Sequence, residues 1–134
     1  MEDTEANKAL VRAHYDAVTN SHDPDTIRRQ VAADFYDHST GKHMSADDVI
    51  AHSRMLHTTF GEFGVTIDDL IAEGDRVAAR VVWHGIHIGP WRGIPPTGKR
   101  ISFGGMTWWR IADGRIAERW AEVDTASLEA QIKA

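Results

Sequence analysis

The stretch Gly64-Val-Thr-Ile-Asp-Asp-Leu-Ile-Ala-Glu-Gly-Asp-Arg-Val-Ala-Ala-Arg-Val-Val-Trp-His-Gly-Ile-His-Ile88 decides the fold. Apolar and polar side chains alternate on both sides of Gly74-Asp75, which is the period of strands with one buried face. The Gly-Asp pair is a tight-turn dipeptide, so strands over 64–73 and 76–88 form an antiparallel hairpin. The signature recurs downstream, where residues 99–112 and 115–124 alternate about Asp113-Gly114, and the Gly- and Pro-rich run from Gly89 to Gly98 joins the two hairpins.

Upstream the period is helical. Ala6, Leu10, Val11, Ala13, Ala17 and Val18 lie on one face of a helix over 4–20, closed by Asn20-Ser21-His22. Asp23-Pro24 supplies a cap and a first-turn proline for a short helix reaching Val31. Phe35 to Gly41 has no helical period and ends in turn residues, and Ser45-Ala-Asp-Asp48 is a capping box opening a third helix to about residue 60. Asp124 or Thr125 caps a last helix carrying Leu128 and Ile132. Helices followed by strands predict an α+β domain over 1–134, a conical, curved antiparallel sheet wrapped around three N-terminal helices and leaving an internal pocket.

At 134 residues the chain has one core, and with no cysteine it has no disulfide, thiolate nucleophile or Cys-ligated zinc. The histidine spacings form no metal set; His52 and His57 stand five apart, not four. A net charge of -5 without a basic stripe argues against nucleic acid. The acidic start, Met1 to Glu5, and the lack of a long apolar run predict neither a secretory leader nor a membrane span, and hence a cytoplasmic protein. All five tryptophans fall in the strand-rich part, and Trp108 and Trp109, being adjacent, point to opposite faces. The outer sheet face is therefore expected to be covered by a second subunit, in a homodimer or homotetramer.

The ordered set Ala72 to Arg80, Gly85-Ile-His-Ile-Gly89, Gly93-Ile-Pro-Pro-Thr-Gly-Lys99 and Arg110-Ile-Ala-Asp-Gly-Arg-Ile-Ala-Glu-Arg-Trp120, with Asp124, resembles the SnoaL-like polyketide cyclases. The resemblance implies a nuclear-transport-factor-2-like cone, assembly through the outer sheet face, and chemistry on a polycyclic polyketide-like molecule without metal or cofactor. It also exposes a departure. The last-strand aspartate that serves the ring-closing cyclases as acid/base falls on Ala121, and their histidine on Thr107, so a sibling chemistry such as cofactor-free hydroxylation is an alternative to cyclisation.

The candidate proton-transfer groups are Asp124, His38 and His84. Asp124 is either a helix cap or an acid/base beside the pocket. His38 precedes the third helix, where the resemblance puts the pocket mouth, and His84 and His87 flank Gly85-Ile86, so only one of that pair faces inward. Trp120, Trp109, Trp83 and Phe103 are candidates for stacking on a flat substrate, with Thr107, Tyr36 and His87 orienting it, although core packing is the commoner role for a strand tryptophan. Arg80 and Glu118 are expected to pair with each other, and His14, His22, His43, His52 and His57 to be helix-surface or loop residues. The rival to an enzyme is a non-catalytic protein that binds an apolar small molecule.

Overall fold

The computed structural model describes residues 3–134; Met1 and Glu2, the start of the acidic N-terminus, lie outside the described residues. In chain order the elements are α1 (Thr4–Tyr15), a π-helical turn (Asp16–Asn20), α2 (Pro24–Gln30), β1 (Val31–Asp37), β2 (Lys42–His43), α3 (Ala46–Thr59), β3 (Phe60–Glu73), β4 (Arg76–His87), β5 (Arg100–Ala112), β6 (Arg115–Val123) and α4 (Thr125–Lys133). The helix starts follow the capping logic of the sequence. Asp23 Oδ1 accepts from Thr26 N at 3.2 Å ahead of Pro24, and Ser45 and Asp48 exchange both capping-box bonds.

One sheet of six strands, ordered β2-β1-β6-β5-β4-β3, curves over the helices without closing. It is mixed, which corrects the wholly antiparallel expectation: β1 runs parallel to β6, with Tyr36 opposite Glu118 and Asp37 opposite Arg119. The sequence hid β1 because Val31-Ala-Ala-Asp34 scarcely alternates, and its partner strand lies some eighty residues away. The predicted hairpins are present. Asp113 and Gly114 both take positive φ, 52° and 71°, as a two-residue type I′ turn requires.

Alternation assigns the faces. Val77, Ala79, Val81 and Trp83 of β4 and Ile101, Phe103, Trp109 and Ile111 of β5 are buried with Val11, Tyr15, Ile27, Val49 and Ile50 of the helices. Trp108 remains 47% exposed while Trp109 is 3% exposed, as their adjacency predicts. Arg80 and Glu118 both point outward but do not meet, because β5 lies between their strands. Arg80 instead bonds Asp69 at 2.8 Å and Asp68 at 3.3 Å. Glu118 pairs with Arg110, its cross-strand neighbour, and with His38 at 2.7 Å. These two bonds, His38 first, hold the Glu118 carboxyl below the usual range.

The first helix ends in a π turn, which α3 ties down. Val18 O accepts from Ser53 Oγ at 2.7 Å and from His57 Nε2 at 3.0 Å. Among the described residues no helix is long and apolar enough to cross a membrane.

Gly105, midway along β5, lets the Trp83 ring lie against the sheet. A Cβ there would stand 2.6 Å from Trp83 Cζ3 and 2.8 Å from the carbonyl oxygen of Glu122. Gly105→Ala is expected to destabilise the domain by about 1–3 kcal/mol, since both ring and backbone must move; urea denaturation measures it, and an unchanged midpoint would contradict the packing described.

Candidate functional site

Between the helices and the inner sheet face lies a cavity of about 170 Å³, with walls that include Val18, Phe35, Leu56, Phe63, Trp83, Phe103 and Trp109. An apolar cavity of about 150 Å³ accommodates benzene, so the enclosed part of this one has room for an aromatic ring. Trp83 and Phe103 stack at 5.5 Å as one wall.

The polar lining comes from three directions. Asp37, at the end of β1, is 6% exposed, and its Oδ1 accepts from Ser39 N at 2.9 Å and from Arg119 Nη1 at 3.4 Å. Arg119 reaches in from β6, with its guanidinium over the Trp109 ring at 5.6 Å. From α1, the Tyr15 hydroxyl lies 2.7 Å from Thr107 Oγ1, and Thr107 Oγ1 accepts from Trp109 Nε1 at 2.9 Å. Burial raises the Tyr15 pKa, so the phenol keeps its proton and remains a donor at neutral pH.

His14, also on α1, lines the cavity and is buried. Its Nδ1 faces the Gln30 amide oxygen at 2.8 Å, an arrangement that puts the proton on Nδ1 and leaves Nε2 as an acceptor. Nε2 has no protein partner among the described residues, and it is not sealed off, since His87 Nε2 is the one fully enclosed side-chain nitrogen or oxygen among them without a bond. Burial lowers the His14 pKa to about 4 against a smaller opposing effect of Gln30, so the ring is neutral at physiological pH. His52, on α3, also lines the cavity, where desolvation and then Arg119 lower its pKa against an opposing effect of Asp37.

The sequence-predicted residues divide between the two faces. Trp83, Phe103 and Trp109 line the cavity, and Thr107 bonds its Tyr15. Asp124 does not line it: the residue is exposed and caps α4, its Oδ1 accepting from Ser127 N at 3.0 Å. His38 is also exposed, stacked on Trp120 at 4.3 Å on the outer face. Tyr36 packs against His38 and His43 outside the cavity, and His84 is exposed. His87 is the inward member of its pair, yet its Nδ1 accepts from Thr97 N at 3.2 Å and it holds the 89–98 loop instead of lining the cavity.

Asp37, Arg119, His14, Tyr15 and His52 were not singled out from sequence. The signal for Asp37 lay beside the residue that was chosen, for in Tyr36-Asp37-His38 alternation turns only the middle residue inward. Among the described residues no three His, Asp or Glu side chains gather as a metal site.

A cone of helices and curved sheet around one largely apolar cavity defines a nuclear-transport-factor-2-like pocket domain. Within that class the chain belongs to the SnoaL-like polyketide cyclase family, which it matches over residues 9–132. TsrD from Streptomyces laurentii is similar, 28% identical with a TM-score of 0.89 over 98% of each chain. IdmH from Streptomyces antibioticus, described as a proposed polyketide cyclase, is 28% identical with a TM-score of 0.84 over 96% of this chain and 99% of its own. AclR from Streptomyces galilaeus, a proposed hydroxylase, is 25% identical with a TM-score of 0.84 over 98% of this chain and 83% of its own. No curated protein matches the chain by sequence.

The lowered His14 pKa makes a stability prediction. Its folded value of about 4 lies below the ordinary 6.5, so the unfolded chain binds the extra proton between these values and stability falls as pH drops through that window. The loss attributable to His14 is about 2 kcal/mol between pH 7.5 and pH 5. Urea unfolding at both pH values should show this loss in the wild type and a much smaller one in His14→Gln; equal losses would contradict a neutral buried His14.

Proposed function

We propose that the interior cavity is a catalytic site in which Asp37 moves a proton at the carbon beside a carbonyl of a small aromatic or polyketide-type molecule. The observation that carries this reading is the Asp37–Arg119 pair on the wall of an otherwise largely apolar cavity. The position from which the family resemblance would supply an acid/base is Ala121, next to Arg119 on the inner face of β6. Asp37, opposite Arg119 on β1, brings a carboxylate to the same neighbourhood from a different strand. The second family position, Thr107, is occupied by its bonds to Tyr15 and Trp109.

The chemistry needs little else. An Asp37 oxygen takes the proton, the C–H electron pair moves into the new C=C bond, and the carbonyl becomes an enolate. With Thr107 Oγ1 donating to it, the Tyr15 hydroxyl can donate to a substrate carbonyl or enolate oxygen, and His14 Nε2 can accept from a substrate hydroxyl. The carbon can then attack a second carbonyl in the same molecule, with Asp37 returning the proton to the new alkoxide. One positioned base of this kind contributes about 10² to 10⁴ in rate. An enolate is equally the starting point for hydroxylation, the activity proposed for AclR.

Deuterium wash-in from heavy water at the methyl carbon of an aryl methyl ketone tests the step by proton NMR. The wild type should accelerate exchange, and Asp37→Asn should reduce that acceleration by about 100-fold while still binding the ketone. Equal rates in the two proteins would remove Asp37 from the chemistry. Binding with no acceleration in either would favour the non-catalytic binding protein, a reading to which the non-ionisable Ala121 and Thr107 lend support.

The outer sheet face is proposed to meet a second copy of the chain. It carries a groove of about 570 Å³ bordered by Ile71, Met106, Trp108 and Trp120, and Ile71 and Met106 are 68% and 61% exposed. Sedimentation velocity should find an oligomer that Met106→Glu dissociates, whereas a monomeric wild type would rule this out.

A further inference from the structure

We infer that Arg119 is an anchor for an acidic ligand, so that the interior cavity takes a small aromatic carboxylate held through the guanidinium. This rests on the reading of the cavity as a ligand site and identifies the class of molecule it selects. A guanidinium has five N–H donors in a planar fork. Among the described residues Arg119 uses only Nη1, towards Asp37 Oδ1 and Ser39 Oγ, each at 3.4 Å. Both contacts are long beside the 2.7–2.9 Å usual for a charge-assisted bond. Nε and Nη2 have no protein acceptor there, although they belong to a residue on the cavity wall.

Asp37 does not use the fork, because its Oδ1 is shared with Ser39 N and meets a single nitrogen of Arg119. The Arg119 side chain is 24% exposed, so these donors are accessible from the cavity and open to a ligand. A carboxylate matches the spacing of two guanidinium nitrogens, whereas an amide or ketone offers one acceptor oxygen. The surroundings extend the match. The guanidinium lies over Trp109, so a ring attached to the carboxylate would run on towards Trp83 and Phe103, the aromatic wall of the same cavity. The volume of about 170 Å³ has room for such a ring.

Calorimetric titration of the wild-type protein with benzoate, benzamide and toluene tests the anchor, because the three differ in the group offered to Arg119 and hardly in shape. Benzoate should bind at least ten-fold more tightly than benzamide. Arg119→Gln should bring the ratio close to one, and Arg119→Lys, which keeps the charge, should retain part of the preference. Equal affinities for benzoate and benzamide in the wild type would overturn the anchor and leave the cavity reading intact. A ten-fold preference surviving in Arg119→Gln would overturn the role of Arg119. Failure of all three compounds to bind would overturn the cavity reading and the anchor with it.

Discussion

The structure depends on residue parity across three neighbouring strands. Along the centre of the sheet the β4–β5 register pairs Ala79 with Thr107 and Trp83 with Phe103, and the β5–β6 register pairs Thr107 with Ala121 and Trp109 with Arg119. Odd-numbered residues therefore share the inner face, and the cavity exists because those positions hold aromatic, small and a few polar side chains. A slip of one residue in β5 would exchange Trp109 for Trp108 and Thr107 for Met106, emptying the wall and burying the outer face. The register shifts lie outside this block, between Gly61 and Gly64 and between Ile67 and Asp69 in β3, between Val31 and Tyr36 in β1, and at Arg110–Ile111 in β5, just beyond Trp109.

The same constraint gives the site its composition. The β6 wall offers Arg119 and Val123, with no carboxylate between them, and the carboxylate arrives through the parallel neighbour β1. An inner-face position can thus be served from either of two strands. The loss of an acid at one position is compatible with an acid nearby, provided that the partner strand has the right phase. The Ser39 amide, bonded to the Asp37 carboxylate, turns the chain after β1 and fixes that phase.

Much of the architecture was legible from short-range pattern. The turn dipeptides at Gly74-Asp75 and Asp113-Gly114, the Asp23-Pro24 start and the Ser45–Asp48 box each express a local conformational preference, and each is present in the fold. Alternation separated Trp108 from Trp109, but it did not say which face is inward: of the four residues read as a stacking wall, Trp83, Phe103 and Trp109 line the cavity and Trp120 lies on the outer face. What stayed hidden was non-local. Strand β1 has almost no pattern of its own, so its parallel pairing, and with it the Asp37–Arg119 meeting, had no sequence signal beyond the alternation of Tyr36-Asp37-His38. His14 was read as a helix-surface residue because a lone histidine on a helix has no marker of burial, and its partner Gln30 sits on another helix. Asp124 reads in sequence first as a cap and second as a catalyst, and its bond to Ser127 N at the head of α4, outside the cavity, is the cap.

The distribution of tryptophans about the sheet also makes the protein its own optical gauge. Trp83 and Trp109 sit on the cavity wall, Trp108 and Trp120 border the outer groove, and the two sets are screened from each other by the sheet. Indole emission depends on the polarity of its surroundings, so filling the cavity perturbs one pair of emitters and covering the outer face perturbs the other. Ligand uptake and self-association thus act on different pairs of indoles in the unlabelled chain, against the common background of Trp91 in the 89–98 loop.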